Sequence, residues 1–272
     1  MSISTAPSGR QTTPVVPDED TARAAGPGAL QGQAWLTLQT HHAQRLIRGR
    51  PAAAGKPAII GLFGFADRLR GIWQGARQDD PYADWWLLKI HDALEAVEHL
   101  IQVERVTLSD RLASLPALEV TVATSRKPFR TPLRFANPYA FRGARLLADY
   151  DEVARGVLTA RHVGLVEGGD AERLLGCCAG KIRGLFCLPQ GYRFLGVDRS
   201  ALAQGTAKAE QARKAMGEVP EDVLSGERRA PLGPRSTPFA GQVPRNPRLH
   251  PVVSPSPESP ALEAEDTDGN AT

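Results

Sequence analysis

The chain has 272 residues, of which 42% are hydrophobic, and a formal net charge of +3 at pH 7. Residues 1–29 and 218–272 are rich in polar residues, and ten of the 22 prolines lie in the second segment. Because segments of this composition bury too little apolar surface to offset the entropy lost on ordering, we predict that both are disordered. The remaining residues, 30–217, are enough for one globular domain with a single core.

Charge and cysteine content narrow the class of protein. The two predicted tails carry net charges of −1 and −4, so residues 30–217 carry +8. A basic domain favours binding to a polyanion, although an arginine-rich surface without a ligand has the same composition. The three cysteines do not make a disulfide framework, and no signal peptide or membrane-spanning apolar run occurs. We therefore expect a cytoplasmic protein with reduced thiols and no membrane partner.

Three helices are predicted in the first part of the folded region. Residues 34–48 and 62–76 place apolar side chains at helical spacing. Asp80 and Pro81 are typical of a helix start, with Asp as the N-cap and Pro at the first helical position. This third helix would run to about Leu112, a length of roughly 45 Å. Its apolar stripe consists of Trp86, Ile90, Leu94, Val97 and Ile101.

The pattern then changes to the alternation that is typical of strands. Leu118, Val120 and Val122 alternate with polar or small residues, and Leu133 and Phe135 do the same in a shorter segment. We predict that the two segments form an antiparallel two-stranded ribbon near residues 118–136, or that they pair with a partner chain.

Helices resume at Asn137 and Pro138, which repeat the N-cap and proline signal. The sequence predicts helices over residues 138–150, 151–166, 170–186 with Asp170 as cap, and 199–216 with Asp198 as cap. The fold class that follows is mainly α with a short two-stranded β ribbon (α+β).

The sequence contains no complete enzyme signature. The segment GCCAGK at 176–181 is one residue short of a phosphate-binding loop and lacks the following Ser or Thr. His91, Glu95 and His99 lie on one helical face and could converge on zinc, or they form a polar flank in which His99 pairs with Glu95. The apolar surroundings of Cys177 and Cys178 raise a thiol pKa, which disfavours a nucleophile. We predict no catalytic site, no metal and no cofactor.

A basic run between residues 126 and 145 is the strongest functional signal. It contains no acidic residue, and an antiparallel ribbon carrying cations fits the DNA major groove. Asn137 and the helix start behind it could offer donors to a phosphate. Alternatively, several of these arginines pair with Glu119, Asp149 or Asp151 in the same chain. The basic residues are Arg126, Lys127, Arg130, Arg134, Arg142 and Arg145.

Three segments carry a family resemblance: DRLRGIWQGARQDDPYADWWLLKIHDALE, TPLRFANPYAFRGARLLADYDEVARG and PQGYRFLGVDR. They resemble a family of proteins encoded on integrating conjugative elements, formerly described as a domain of unknown function. The family is similar to the AcaB-type transcriptional regulators of conjugative plasmids. The resemblance covers roughly residues 30–202 and leaves both tails out.

The resemblance implies a dimeric helical protein with an embedded ribbon-helix-helix element. That element would correspond to a strand at 132–135 and helices at 138–148 and 152–163. Asp149, Tyr150 and Asp151 would then occupy the turn between the two helices. In such modules the ribbon reads bases, which would give that role to Arg130, Arg134 and Lys127 and a phosphate contact to Asn137.

The partners implied are double-stranded promoter DNA of the element, a second copy of the chain, and RNA polymerase or transfer proteins. The expected function is a DNA-binding regulator that controls the expression of transfer genes. The alternative is a scaffold or accessory protein of the conjugative transfer machinery that acts through protein partners.

Overall fold

The computed structural model describes residues 33–53, 55, 58–115 and 119–234. Over these residues the protein is a helical body with a short antiparallel ribbon, which confirms the predicted fold class. The strands are β1 (Ala34–Leu38), β2 (Gly49–Arg50), β3 (Ile59–Ile60) and β4 (Phe129–Leu133). The helices are α1 (His41–Arg48), α2 (Leu62–Arg77), α3 (Pro81–Ala113), α4 (Pro138–His162), α5 (Gly168–Cys187), α6 (Arg199–Ala203), α7 (Ala207–Met216) and α8 (Glu221–Leu224).

The long helix α3 begins where the sequence predicts, because the Asp80 carboxylate accepts the backbone N–H of Tyr82 at 2.9 Å. Its predicted apolar stripe is buried from Trp86 to Ile101, so α3 forms the centre of the core. Helix α3 ends at Ala113, one residue beyond the predicted end at about Leu112. None of the helices in the described part of the chain is long and apolar enough to cross a membrane.

Helix α4 is continuous from Pro138 to His162, so the predicted turn at residues 149–151 is wrong. Tyr150 and Asp151 are buried inside the helix, where Leu147, Tyr150 and Ala154 extend the same apolar face. The helix continues across residues 149–151 because this segment contains no Gly or Pro and because the buried apolar face extends on both sides of it. The strand-helix-helix element expected over residues 132–163 is therefore a strand followed by one long helix.

Helices α3 and α4 pack side by side and run in the same direction. Arg142 near the start of α4 contacts Glu98, whereas Glu152 further along α4 contacts Arg105. The ribbon lies against α4, where the Asp151 carboxylate accepts the backbone N–H groups of Gln39 and Thr40 just after β1.

The ribbon has a different first strand from the predicted one. Strand β4 pairs with β1, with Thr37 opposite Arg130 and Trp35 opposite Pro132. Residues 34–38 were predicted as helix, but Leu36 and Leu38 are buried while Trp35 and Thr37 are exposed, which is the two-residue period of a strand. Residues 119–125 form no strand, and Leu118 lies outside the described residues.

The C-terminal side of the body differs from the prediction at three places. Glu167, not Asp170, precedes α5 as its N-cap residue. Gly205, with φ 63°, separates α6 from α7, which were predicted as one helix. Residues 218–234, predicted to be disordered, are packed on the body: Ala230 is buried and the Leu232 N–H donates to the Tyr139 hydroxyl at 3.2 Å. The predicted tails at 1–29 and 235–272 lie outside the described residues.

Candidate nucleic-acid interface

The outer face of the ribbon carries an exposed cation beside an exposed aromatic ring. Trp35 is 47% exposed, and the guanidinium carbon of Arg130 lies 4.5 Å from the centre of its indole ring. The two residues are diagonal neighbours across the strand pair, a separation that long side chains bridge. This cation–π contact restrains Arg130 while its charge stays accessible to solvent.

Arg130 is one of four exposed basic side chains in this part of the chain. Arg126 and Lys127 precede β4, Arg130 lies within it and Arg134 follows it. Within the described part of the chain none of the four forms an ion pair. These four side chains therefore do not form the internal ion pairs with Glu119, Asp149 or Asp151 that the sequence left open.

The loop that carries Arg126 and Lys127 is anchored to the ribbon and to α4. The Ser125 N–H donates to the Gln39 side-chain carbonyl at 2.9 Å, just after β1. The Ala123 N–H donates to the Thr159 hydroxyl at 3.0 Å, and the Ala123 carbonyl accepts from Arg155 at 2.8 Å. These bonds place the loop cations beside the ribbon although residues 119–125 form no strand.

Asn137 is buried at the start of α4. Its side chain is 3% exposed, and its Oδ1 accepts the Tyr139 N–H at 2.8 Å as the N-cap of α4. The Asn137 Nδ2 is buried and has no hydrogen-bond partner among the described residues, and the phosphate contact stays a prediction.

Arg142 is held in hydrogen bonds within the helical body. Its guanidinium donates to both Glu98 oxygens, at 3.1 and 2.6 Å, and contacts the His91 Nδ1 at 2.9 Å. The hydrogen bond with Glu98 is the main reason that the pKa of Arg142 is raised. This arginine joins α4 to α3, whereas Arg145, one turn further, is exposed.

The other candidate sites do not assemble. The His91 Nε2 lies 3.1 Å from Glu95 while its Nδ1 faces Arg142, and His99 is exposed. Among the residues that the structure describes, no three side chains of the metal-binding types converge. Burial raises the pKa of Cys178 to about 11, and the segment 176–181 lies within α5 and forms no phosphate loop.

Trp35 is the residue that the sequence interpretation missed. Residues 34–48 carry apolar residues that suit a helix, but Trp35 to Leu38 alternate in exposure and Thr40 caps α1 by accepting the Ala43 N–H. A Thr three residues before Ala43 was the available signal for a later helix start.

These observations define a mainly helical protein with a solvent-facing, cationic two-stranded ribbon. Residues 26–236 match the family described as "Transcriptional regulator AcaB", and the chain belongs to this family of transcriptional regulators. The family predicted from sequence resemblance is thus confirmed.

Among solved structures, the chain is similar to AcaB from uropathogenic E. coli, in its selenomethionine-containing crystal form. The two share 12% sequence identity with a TM-score of 0.52, over 72% of this chain and 95% of the other. At this identity the likeness concerns the fold. No curated protein matches the chain.

Proposed function

We propose that this transcriptional regulator binds double-stranded DNA through the outer face of the β1–β4 ribbon and controls transfer genes of an integrating conjugative element. The observation that carries the proposal is the group of four exposed cations at β4, none ion-paired within the described residues. Membership of a transcriptional regulator family supports the same conclusion.

The ribbon suits the major groove in size and chemistry. A two-stranded ribbon fits the groove, and arginine forms paired hydrogen bonds with the O6 and N7 of guanine. Arg130, restrained by Trp35, is the residue we assign to base contact. Arg126, Lys127 and Arg134 are assigned to phosphates on either side, and the exposed Arg145 is a further candidate for such a contact.

We infer that the functional unit is a homodimer, because dimeric DNA-binding regulators double the area of their interface with DNA by placing one copy on each of two adjacent half-sites. The ribbon is formed within one chain, so the second copy would add a second ribbon instead of completing the first. RNA polymerase or transfer proteins are the further partners that such a role in the cytoplasm would involve.

Fluorescence anisotropy with promoter fragments of the element tests the proposal. The double variant Arg130→Ala/Arg134→Ala should bind more weakly and show a smaller salt dependence, with a log–log slope lower by about 0.9 for each lost phosphate contact. Arg77→Ala/Lys214→Ala removes the same charge at exposed positions. Arg77 lies about 20 Å from the first turn of α2, whose Phe63 contacts Phe135 beside the ribbon.

Equal binding by the wild type and the ribbon variant would overturn the assignment. That result would favour an accessory protein of the transfer machinery that acts through protein partners. Equal losses in both double variants would show that net charge matters and the ribbon does not.

A further inference from the structure

A cavity of about 720 Å³ lies beside the ribbon and is lined by four arginines. It is bounded by the second half of α1, the β2–β3 hairpin, the start of β4 and one side chain of α5. The described residues of its lining include no Asp or Glu, and its apolar part comes from aliphatic residues of α1 and β3 together with Phe129. The arginines are Arg45, Arg48, Arg50 and Arg183.

The wall of the cavity is held by close backbone contacts. Gly49 has a φ of 73°, and a Cβ there would lie 2.0 Å from the Ile59 carbonyl oxygen. A Cβ on Gly61 would lie 2.5 Å from the Ile47 carbonyl oxygen. The hairpin therefore packs directly against the end of α1. This packing fixes the backbone that carries the arginines at the edge of the cavity.

Three of the four arginines around the cavity have no carboxylate partner in the described part of the chain. Arg45, Arg48 and Arg183 form no ion pair with any residue that the structure describes. Arg45 and Arg183 also line a neighbouring cavity of about 280 Å³, where Glu172 is the acidic residue of the lining. Cations grouped in this way repel one another, so an anion between them would be stabilised.

We propose that this cavity binds a phosphate-bearing ligand with a planar or apolar portion. Arginine binds phosphate through paired hydrogen bonds and stacks on planar groups, and Phe129 with the aliphatic wall would receive the apolar portion. The volume falls within the range of small-molecule sites, about 300–1,000 Å³. The phosphate could belong to a free nucleotide or to the DNA backbone, since Phe129 is also the first residue of β4.

The first experiment uses the full chain with pyrophosphate, ADP and adenosine as probes in isothermal titration calorimetry. Pyrophosphate and ADP should bind and adenosine should not, and Arg45→Ala/Arg183→Ala should weaken binding at least about tenfold because two charge-assisted contacts are lost. Arg68→Ala/Arg77→Ala, which removes two exposed charges from α2, should bind like the wild type. Arg45→Lys/Arg183→Lys retains the charge and should recover part of the affinity, which separates binding from folding.

The second experiment distinguishes the two sources of phosphate. If ADP binds and leaves the anisotropy of bound promoter DNA unchanged, the site takes a free ligand. If ADP competes with DNA, the DNA backbone supplies the phosphate. The same conclusion holds if free anions do not bind but Arg45→Ala/Arg183→Ala weakens DNA binding more than the control variant Arg68→Ala/Arg77→Ala does. If neither free anions nor DNA distinguish Arg45→Ala/Arg183→Ala from the wild type, the proposal is wrong. The ribbon variant should retain ADP binding, so this site and the ribbon interface can fail separately.

Discussion

The hydroxyl of Thr40 donates a hydrogen bond of 2.6 Å to the carboxylate of Asp151, 111 residues further along the chain. The same carboxylate accepts the backbone N–H groups of Gln39 at 2.6 Å and Thr40 at 2.9 Å. Because Thr40 also caps α1, Asp151 ties together the end of β1, the start of α1 and the middle of α4. This buried side chain therefore acts together with the buried Leu36 and Leu38 of β1 in holding the ribbon on the body.

Asp151→Ala should lower the free energy of unfolding by about 3 kcal/mol, because buried donors at Gln39 and Thr40 lose their acceptor. Asp151→Asn should cost less, since its side-chain oxygen still accepts one of them. Urea denaturation followed by circular dichroism measures both variants. A loss below about 0.5 kcal/mol for the alanine variant, the range of ordinary surface substitutions, would contradict the assigned role.

Arg199 should be among the most sensitive charged positions of the body. It donates to Asp84 at 2.6 Å, contacts Asp79, and donates to the carbonyls of Leu224 at 2.9 Å and Val223 at 3.1 Å. Arg199→Ala would remove the closest cation from Asp84 and the donor from both carbonyls, while Arg229 still lies 3.8 Å from Asp84, and should cost about 3 kcal/mol. Arg173→Ala, which removes an exposed pair with Asp170, should change the unfolding free energy by less than about 1 kcal/mol in the same urea titration.

The segment after Gly217 should contribute to stability. Truncation after Gly217 removes α8, buried Val223 and Ala230, and the bond from Leu232 to Tyr139, so the melting temperature should fall. Truncation after Pro234 removes the part predicted from composition to be disordered and should leave the melting temperature within about 2 °C, a shift that corresponds to about 0.5–1 kcal/mol. Equal melting temperatures of the two truncated chains would show that residues 218–234 do not stabilise the body.

Asp80 should make folding depend on pH. Burial raises its pKa above the ordinary 3.8, against the opposing hydrogen bond from the Tyr192 hydroxyl at 2.6 Å. Between 3.8 and the folded pKa the native state binds more protons than the unfolded state, so stability falls as pH rises through this window. Asp80→Asn removes the titrating carboxyl, and with it this pH dependence, and retains a favourable N-cap residue. Its unfolding free energy should improve relative to the wild type as pH rises from 4 to 7; parallel curves would contradict the assignment.

Trp35 should report on DNA binding if the ribbon is the interface. Addition of promoter DNA should change the tryptophan fluorescence of the wild type, and Trp35→Phe should remove that change while the three other tryptophans remain. Trp35→Ala should also weaken binding, because Arg130 loses the ring that restrains it, an effect of about 1 kcal/mol. Trp73→Phe is the matched control, since Trp73 lies on α2. An identical fluorescence change in Trp35→Phe and the wild type would place the DNA elsewhere.

The sequence by itself determined the features that depend on near neighbours. Asp80 with Pro81 and Asn137 with Pro138 mark the starts of α3 and α4, because an N-cap satisfies donors two or three residues away. The apolar spacing from Trp86 to Ile101 was sufficient to predict the buried face of α3. These local signals also led to the mainly helical fold class and to the exposed basic segment at β4.

Only the tertiary structure decided which segments meet. Pairing of β4 with β1 depends on distant partners, and alternation in Val120 and Val122 predicts a strand equally well whether or not a neighbour is present. Side-chain charge alone does not distinguish Arg142, which is held by Glu98 of α3, from Arg130, which faces solvent over Trp35. Long-range packing ties Arg142 to Glu98 and leaves Arg130 exposed, because an ion pair forms only where the fold brings the opposite charge within reach.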